Sequence, residues 1–130
     1  MRVVRQVLGR ALRVELALSD RLIREAGYEG EILFRSPYCK KLLLLPLYLS
    51  RTGRPDIIWD VEPDSYVDIA GDPDRIADYV LTHAGPGSII LLHPWYESGQ
   101  ADRDAVPKII AGLQARGFRF VTVSELLARS

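Results

Sequence analysis

His93 occupies a position at which a histidine could act on a bound molecule. It follows the apolar run SIILL and precedes a proline in SIILLHPWYESG, so the imidazole stands where a predicted buried strand reaches the surface. A second stretch, WDVEPDSY, also follows an apolar run and carries the carboxylates of Asp60, Glu62 and Asp64. A carboxylate beside an imidazole favours the imidazolium, the form that donates a proton as a general acid. The two stretches indicate acid–base chemistry, although a solvent-facing histidine near solubilising carboxylates is the simpler interpretation.

The acidic stretch also allows a different kind of site. Asp60, Glu62, Asp64 and Asp68 carry the oxygen ligands that hard cations such as Ca²⁺ and Mg²⁺ prefer. A divalent-cation site built from these four side chains is therefore an alternative hypothesis.

Aromatic residues accompany both stretches. Trp59 and Tyr66 belong to the acidic stretch, and Trp95 and Tyr96 follow the histidine. Because sugar rings stack on aromatic faces, this arrangement predicts a carbohydrate-binding rim. The alternative is that Trp59 is a core residue and that Trp95 is partly buried.

The elements that must position these residues alternate along the chain. Apolar runs predict four strands, at 31–34, 56–61, 88–93 and 118–123. Periodic apolar residues and end signals predict helices over 3–26, over 40–52 with a break at Pro46, from Asp72 as N-cap to a stop at Gly85, and over 104–117. This alternation predicts an α/β fold with a sheet of about four parallel strands joined by right-handed crossovers. The loops after the first three strands then meet at one edge of the sheet.

Length and composition limit the class of protein. A chain of 130 residues fits one domain over 1–130, and its 17 basic and 17 acidic side chains cancel, so we expect no nucleic-acid partner. One cysteine excludes an intrachain disulfide and a cysteine-rich zinc site. We find neither a secretory signal nor an apolar run long enough to cross a membrane. The location is otherwise open, and the chain as it stands is expected to be soluble, cytoplasmic and without a membrane partner.

Four segments in order resemble the polysaccharide deacetylase family, which has the NodB-like fold and forms carbohydrate esterase family 4. They are FRSPY with Lys40-Lys41, IIWDVEPDSY, GSIILLH and LQARGFRFVTVSELL, between about Leu18 and Leu127. The resemblance implies that the four strands are about half of a deacetylase (β/α) barrel. It also implies a hydrolase that removes acetyl groups from an amino sugar or another polysaccharide.

The resemblance assigns expected roles to individual residues. Arg35 matches an arginine that orients the catalytic aspartate of the family, and Pro37 and Tyr38 complete its arginine-proline-aromatic motif, whose loop helps to hold the oxyanion. Leu91 matches a leucine that lines the acetyl pocket. His93 matches the general acid that protonates the leaving amine.

The carboxylate that tunes this histidine is less clearly aligned. The family places it before a tryptophan, where this sequence reads Ser65-Tyr66, so Asp64 is the first candidate and Glu62 the second. Trp59 and Trp95 are expected to contact the substrate.

The metal ligands of the family have no counterpart in the sequence. The resemblance implies an N-terminal aspartate pair, of which one residue is a base and the other a metal ligand, and a His-x-x-x-His pair that completes a zinc-like site. This chain has only two histidines, His83 and His93, and His83 lies near the end of a helix expected to face away from the strand ends. No metal ligand is therefore predicted in this chain, although the complete family domain is expected to use a divalent metal.

Three explanations remain open at this point. The chain is a C-terminal part of a longer deacetylase, a truncation that dimerises to cover its sheet edge, or a non-catalytic remnant that serves carbohydrate binding or assembly. Whether it is an enzyme on its own is likewise open. The expected partners are a polysaccharide, and either a second copy of the chain or a missing N-terminal half.

Overall fold

The computed structural model describes residues 2–36 and 44–129. Within these ranges the chain forms two compact units, Met1–Ile58 and Trp59–Ser130. A single domain over 1–130 stays a prediction.

The first unit contains two helices. α1 spans Arg2–Glu25 and α2 spans Leu44–Thr52. Gly27 ends the first helical segment with φ of +93°, a left-handed conformation that glycine adopts without a steric penalty. The predicted break at Pro46 is wrong, because α2 runs continuously through this residue. Proline is tolerated in the first turn of a helix, where its missing N–H would have no intrahelical acceptor.

A small apolar contact and one ion pair hold the first unit together. Leu16 of α1 and Leu45 and Leu49 of α2 are buried. Beside them, Arg54 donates two hydrogen bonds to the carboxylate of Asp20, at 3.0 and 3.1 Å. The bidentate geometry makes this pair stronger than an ordinary surface ion pair.

The second unit is built on two packed helices. Its elements are a 3₁₀ helix at Pro63–Ser65, α3 at Pro73–His83, α4 at Gln100–Ala115 and α5 at Val123–Leu127. The core lies between α3 and α4 and contains Ile76, Val80, Ala105, Ile109 and Leu113. Each large aliphatic side chain buried there contributes roughly 1.5–3 kcal/mol relative to an exposed one.

The ends of α3 and α4 can be compared with the start and end signals in the sequence. Asp72 caps α3 as predicted, because its side chain accepts hydrogen bonds from the amides of Asp74 and Arg75. Gly117 comes after α4 with φ of +83°, as its end signal predicted. The start of α4 was predicted wrongly, since the helix begins at Gln100 rather than at Asp104. Pro107 lies inside the helix.

The predicted sheet is present only as isolated parallel pairings. Phe34 pairs with Asp56 in the first unit, and Val61 pairs with Ile90 in the second. The directions agree with the prediction, but no continuous strand forms in the part of the chain that the structure describes. The segment predicted as the fourth strand has no pairing there, and α5 begins at its last residue, Val123. The partial barrel of four strands is therefore not confirmed.

Aspartate side chains explain why the second pairing stays short. Around this bridge, Leu91 donates to the carbonyl of Val61 at 2.9 Å. The neighbouring amide of Ile89 donates to the carboxylate of Asp60 at 2.7 Å. The amide of His93 donates to Asp102 at 2.6 Å. The amides before and after the bridge, which could otherwise pair with the neighbouring backbone and extend the ladder, thus donate to carboxylates instead.

In the described ranges, every helix is too short or too polar to traverse a lipid bilayer.

Candidate functional site

The ring of His93 is held by a carboxylate of the second unit. Its Nδ1 lies 2.8 Å from Oδ2 of Asp64, and the two side chains are 37% and 19% exposed. Asp64 stands in the 3₁₀ helix that Pro63 starts, and the buried Pro63 fixes this turn against the unit. A carboxylate accepts a hydrogen bond at Nδ1, so this contact favours a proton on Nδ1 and directs Nε2 away from Asp64.

The backbone of His93 is held by a second carboxylate. Its amide donates to Oδ2 of Asp102, which lies in the first turn of α4 and is 3% exposed. The loop between the two residues is tight at Gly99, where an added Cβ would lie 2.4 Å from the carbonyl oxygen of His93. Glycine at this position therefore allows α4 to begin directly against the histidine.

Tyr96 and Arg103 complete this loop. The Tyr96 ring stacks beside the imidazole, with 5.6 Å between ring centroids and 10° between their planes. Arg103 donates to the carbonyl oxygens of Pro94 and Tyr96, which ties α4 to the loop. The histidine is thus fixed by its ring, its amide and the loop after it.

Burial raises the pKa of Asp102 above the ordinary aspartate value. The hydrogen bond from the His93 amide opposes this effect by stabilising the ionised form. A side-chain hydrogen bond with Asp64 and the charge of Asp64 raise the pKa further. The site therefore contains one carboxyl group that retains its proton more readily than an exposed aspartate does.

The other acidic residues of the predicted site have different partners. Glu62, the second candidate beside His93, instead accepts hydrogen bonds from Trp59 Nε1 at 2.9 Å and from Ser65 at 2.8 Å. Asp60 accepts from Ser88 and Ile89. The hypothesis of a hard-cation site from four acidic residues is wrong for the described residues, because these side chains form no cluster of ligands there.

Asp64, His93 and Asp102 come close enough together to be tested as a cation site. One ligand atom from each lies within 4.8 Å of the others. Zinc bonds of about 2.0–2.2 Å in a tetrahedron would place two ligand atoms roughly 3.3 Å apart. The 2.8 Å between His93 Nδ1 and Asp64 Oδ2 is shorter and is an ordinary hydrogen-bond length. The trio fits a hydrogen-bonded cluster better than a zinc site.

The remaining predicted residues are dispersed over the chain. Arg35 is exposed in the first unit, and Pro37 and Tyr38 lie outside the described residues. Leu91 is half-buried. Trp59 is half-buried and donates to Glu62, so it is neither a pure core residue nor a purely exposed rim residue. His83 caps its own helix, with Nδ1 2.8 Å from the Tyr79 carbonyl oxygen.

An apolar cleft of about 540 Å³ lies beside the segment that carries His93. Ile90, Leu92 and residues 118–123 are among the residues that line it. Trp95 stands at its border and is 95% exposed, which contradicts the alternative that it is partly buried.

Comparisons with known proteins connect this geometry to a family. No model of a protein family matches the sequence. The chain is 38% identical over 69 residues to the peptidoglycan-N-acetylmuramic acid deacetylase PdaC of Bacillus subtilis (strain 168), which covers 53% of this chain and 14% of that protein. It is 31% identical over 110 residues to a peptidoglycan-N-acetylglucosamine deacetylase of Bacillus cereus, covering 84% and 39%. The solved structure of Bacillus subtilis PdaC matches with a TM-score of 0.62 and 33% identity, over 84% of this chain and 50% of that chain. These matches support a relationship between the chain and part of the polysaccharide deacetylases.

The similarity covers only part of these deacetylases. The chain spans less than half the length of the curated relatives and half of the solved deacetylase chain. The aspartate pair and the His-x-x-x-His pair expected of the family do not occur in this sequence. The family's metal site therefore cannot be assigned to residues of this chain.

Asp102 is the site residue that the sequence patterns did not predict. Its neighbours ADRDA resemble an ordinary polar helix start, and the predicted start at Asp104 left it in a loop. The signal that could have revealed it is Gly99, which permits a sharp return of the chain three residues earlier. Gly99 is buried despite its polar surroundings.

Proposed function

We propose that this chain supplies the general acid of a polysaccharide deacetylase, with His93 as that acid and Asp64 as the residue that holds its ring. The observation that carries the proposal is the contact of 2.8 Å between Nδ1 and the Asp64 carboxylate. Among the described residues, Nε2 has no hydrogen-bond partner and is available to a substrate. A general acid must carry a proton on the nitrogen that faces the substrate, and the Asp64 carboxylate orients the ring by accepting from Nδ1.

The reaction would be hydrolysis of an acetamide. A water molecule gives one proton to a base while its oxygen bonds to the carbonyl carbon. This addition forms a tetrahedral intermediate. The carbon–nitrogen bond then breaks, and His93 transfers its Nε2 proton to the departing nitrogen, so the products are acetate and a free amino sugar. Without this proton the leaving group would be an amide anion, which is too basic to depart at neutral pH.

Other parts of the proposed site must come from elsewhere. In the complete family domain a divalent metal would polarise the carbonyl and activate the water. The base and the metal ligands are not among the family positions present here, so we propose that other residues supply them. Arg35, Pro37, Tyr38 and Leu91 remain predicted positioning and substrate residues. An N-acetylated amino sugar of peptidoglycan is the proposed substrate, because the relatives at 38% and 31% identity are peptidoglycan deacetylases by name.

A chimera tests this proposal. The half of the Bacillus subtilis PdaC chain that matches this protein would be replaced by residues 1–130, and acetate release from N-acetylated glycan would be measured with added Zn²⁺. The chimera is expected to be active, and His93→Ala to reduce turnover by ~10²-fold or more. His83→Ala is the matched control, since it removes the other histidine, and its turnover should be unchanged. A folded chimera in which both variants turn over equally would refute the role of His93.

A second function, carbohydrate binding without catalysis, is supported by Trp95. This indole is 95% exposed at the border of the apolar cleft, where one face could stack on a sugar ring. The chain has two tryptophans, so Trp59→Phe leaves Trp95 as the single reporter. Its fluorescence should change on titration with a glycan oligomer. No response up to millimolar glycan would exclude this function.

A further inference from the structure

Within the described residues, two buried oxygen atoms of the site have no hydrogen-bond partner. They are Oδ1 of Asp64 and Oδ1 of Asp102, and both are sealed from solvent. The two carboxyl groups lie close together, because one oxygen of each lies within 4.8 Å of the other. Two ionised carboxylates can only accept, so neither atom could satisfy the other. A single proton between them would satisfy both.

We propose that Asp102 and Asp64 share one proton, carried by Asp102 and donated to Asp64, so that the pair holds a single negative charge facing His93. Asp102 then accepts the His93 amide with one oxygen and donates through the other. Asp64 accepts from Asp102 with one oxygen and from the imidazole with the other. Every buried oxygen of the pair thereby has a partner.

The surroundings decide which residue carries the proton. Asp64 is the carboxyl group that faces the imidazole, and its Oδ2 accepts a hydrogen bond from Nδ1. Asp102 is 3% exposed, and within the described residues no basic side chain forms an ion pair with it. Its neighbour Arg103 is directed to Pro94, Tyr96 and Gln100 instead. The proton is therefore on Asp102, which is more buried than Asp64 and forms no ion pair within the described residues.

Asp102 is accordingly a positioning residue for His93. It fixes the backbone of the histidine through the amide and fixes the ring indirectly through Asp64. The effect on proton transfer rests on the proposed function, but the shared proton itself is inferred from the geometry of these three residues. A measurement that reads the proton directly makes its failure distinguishable from failure of the deacetylase proposal.

Carboxyl ¹³C nuclear magnetic resonance of the full chain locates the proton. The Asp102 signal is expected to titrate at higher pH than an aspartate in an unstructured peptide, and the Asp64 signal should move in the same step. Titration of Asp102 at the pH of the peptide aspartate would overturn the proposal. Stoichiometric Zn²⁺ uptake that displaces both carboxyl signals would also overturn it, because the trio would then be a metal site.

Two variants of Asp102 distinguish the effect of its proton from the effect of its side-chain volume. Asp102→Asn keeps an oxygen for the His93 amide and supplies a permanent donor to Asp64, so the amide proton shift of His93 should be retained. Asp102→Ala removes both contacts, and the same shift should move toward the value of an unbonded amide. If Asp102→Asn disturbs the His93 amide as much as Asp102→Ala does, the protonated form is not the one that the fold requires.

Discussion

Both parallel bridges in the described residues have an aspartate that accepts hydrogen bonds from the segment that faces it, but the two bridges lie in different units. In the first unit, Asp56 accepts from the amide and the hydroxyl of Ser36, at 3.0 and 2.8 Å. In the second unit, Asp60 accepts from the amide of Ile89 and the hydroxyl of Ser88, both at 2.7 Å. Each aspartate thus binds a serine and an amide of the facing segment.

The two bridges differ in the segments that come after them. Ser36 is 2% exposed, and the segment after it leads out of the described residues. The segment after Ile89 leads to His93, where Asp64 and Asp102 bind from separate elements and α3 and α4 provide a core behind it. The buried helix pair and the tight return at Gly99 are what bring the second carboxylate to the histidine.

Among the changes that test this comparison, Gly99→Ala is expected to lower the free energy of unfolding the most. The new Cβ would lie 2.4 Å from the His93 carbonyl oxygen and 3.0 Å from that of Tyr96, and both are backbone atoms that cannot rotate away. We expect a loss of about 2–3 kcal/mol in the free energy of unfolding. Gly71→Ala is the control, because an added Cβ there meets nothing within 4 Å. Equal stability of the two variants in urea unfolding would show that the loop is not tight at this glycine.

Removing the two bridge aspartates compares the units directly. Asp56→Ala leaves the amide and hydroxyl of the buried Ser36 without an acceptor, so we expect a loss of about 1–3 kcal/mol. Asp60→Ala should cost less, since Asp60 is exposed and water can reach the groups that it binds. Urea unfolding of both variants measures the difference. A larger loss for Asp60→Ala would reverse this ranking.

The pH dependence of stability sharpens the role of Asp102. Its raised pKa in the folded protein means that the native state binds the proton more tightly than the unfolded chain. This group's contribution is therefore largest at acid pH and is lost as pH rises from the unfolded value of ~3.9 through the folded pKa. Asp102→Asn cannot titrate, so its stability relative to the native sequence should increase with pH, by at most about 1.4 kcal/mol per unit. A difference that stays constant across the series would contradict the raised pKa.

A smaller effect is expected at the start of α5. Thr122 caps this helix by accepting from the amide of Glu125, whose side chain in turn accepts from the Thr122 amide. Thr122→Ala should cost about 1 kcal/mol. Thr122→Ser keeps the hydroxyl and serves as the control. If the two variants are equally stable in thermal unfolding, the capping box does not contribute.

Local signals in the sequence were sufficient for some elements and insufficient for others. Asp72 and Gly117 mark helix ends through contacts with residues only a few positions away, which a sequence shows directly. The pairing of Asp64 with His93 could be predicted by placing two loops at one edge of a sheet. The contact of Asp102 with His93 depends on the turn at Gly99, and this turn is evident only from the packing of the helices. The predicted strand before His93 failed to extend because carboxylates compete for its amides, and apolar periodicity does not record that competition.

The state of the His93 ring is the most direct measure of the central claim. In ¹⁵N nuclear magnetic resonance of the full chain, His83→Ala leaves His93 as the single histidine, so its two ring nitrogens can be assigned without overlap. At alkaline pH the ring should carry its proton on Nδ1, which Asp64 accepts, and Asp64→Asn should reduce that preference. A neutral ring protonated on Nε2 in the chain that retains Asp64 would contradict the arrangement from which the proposed function is argued.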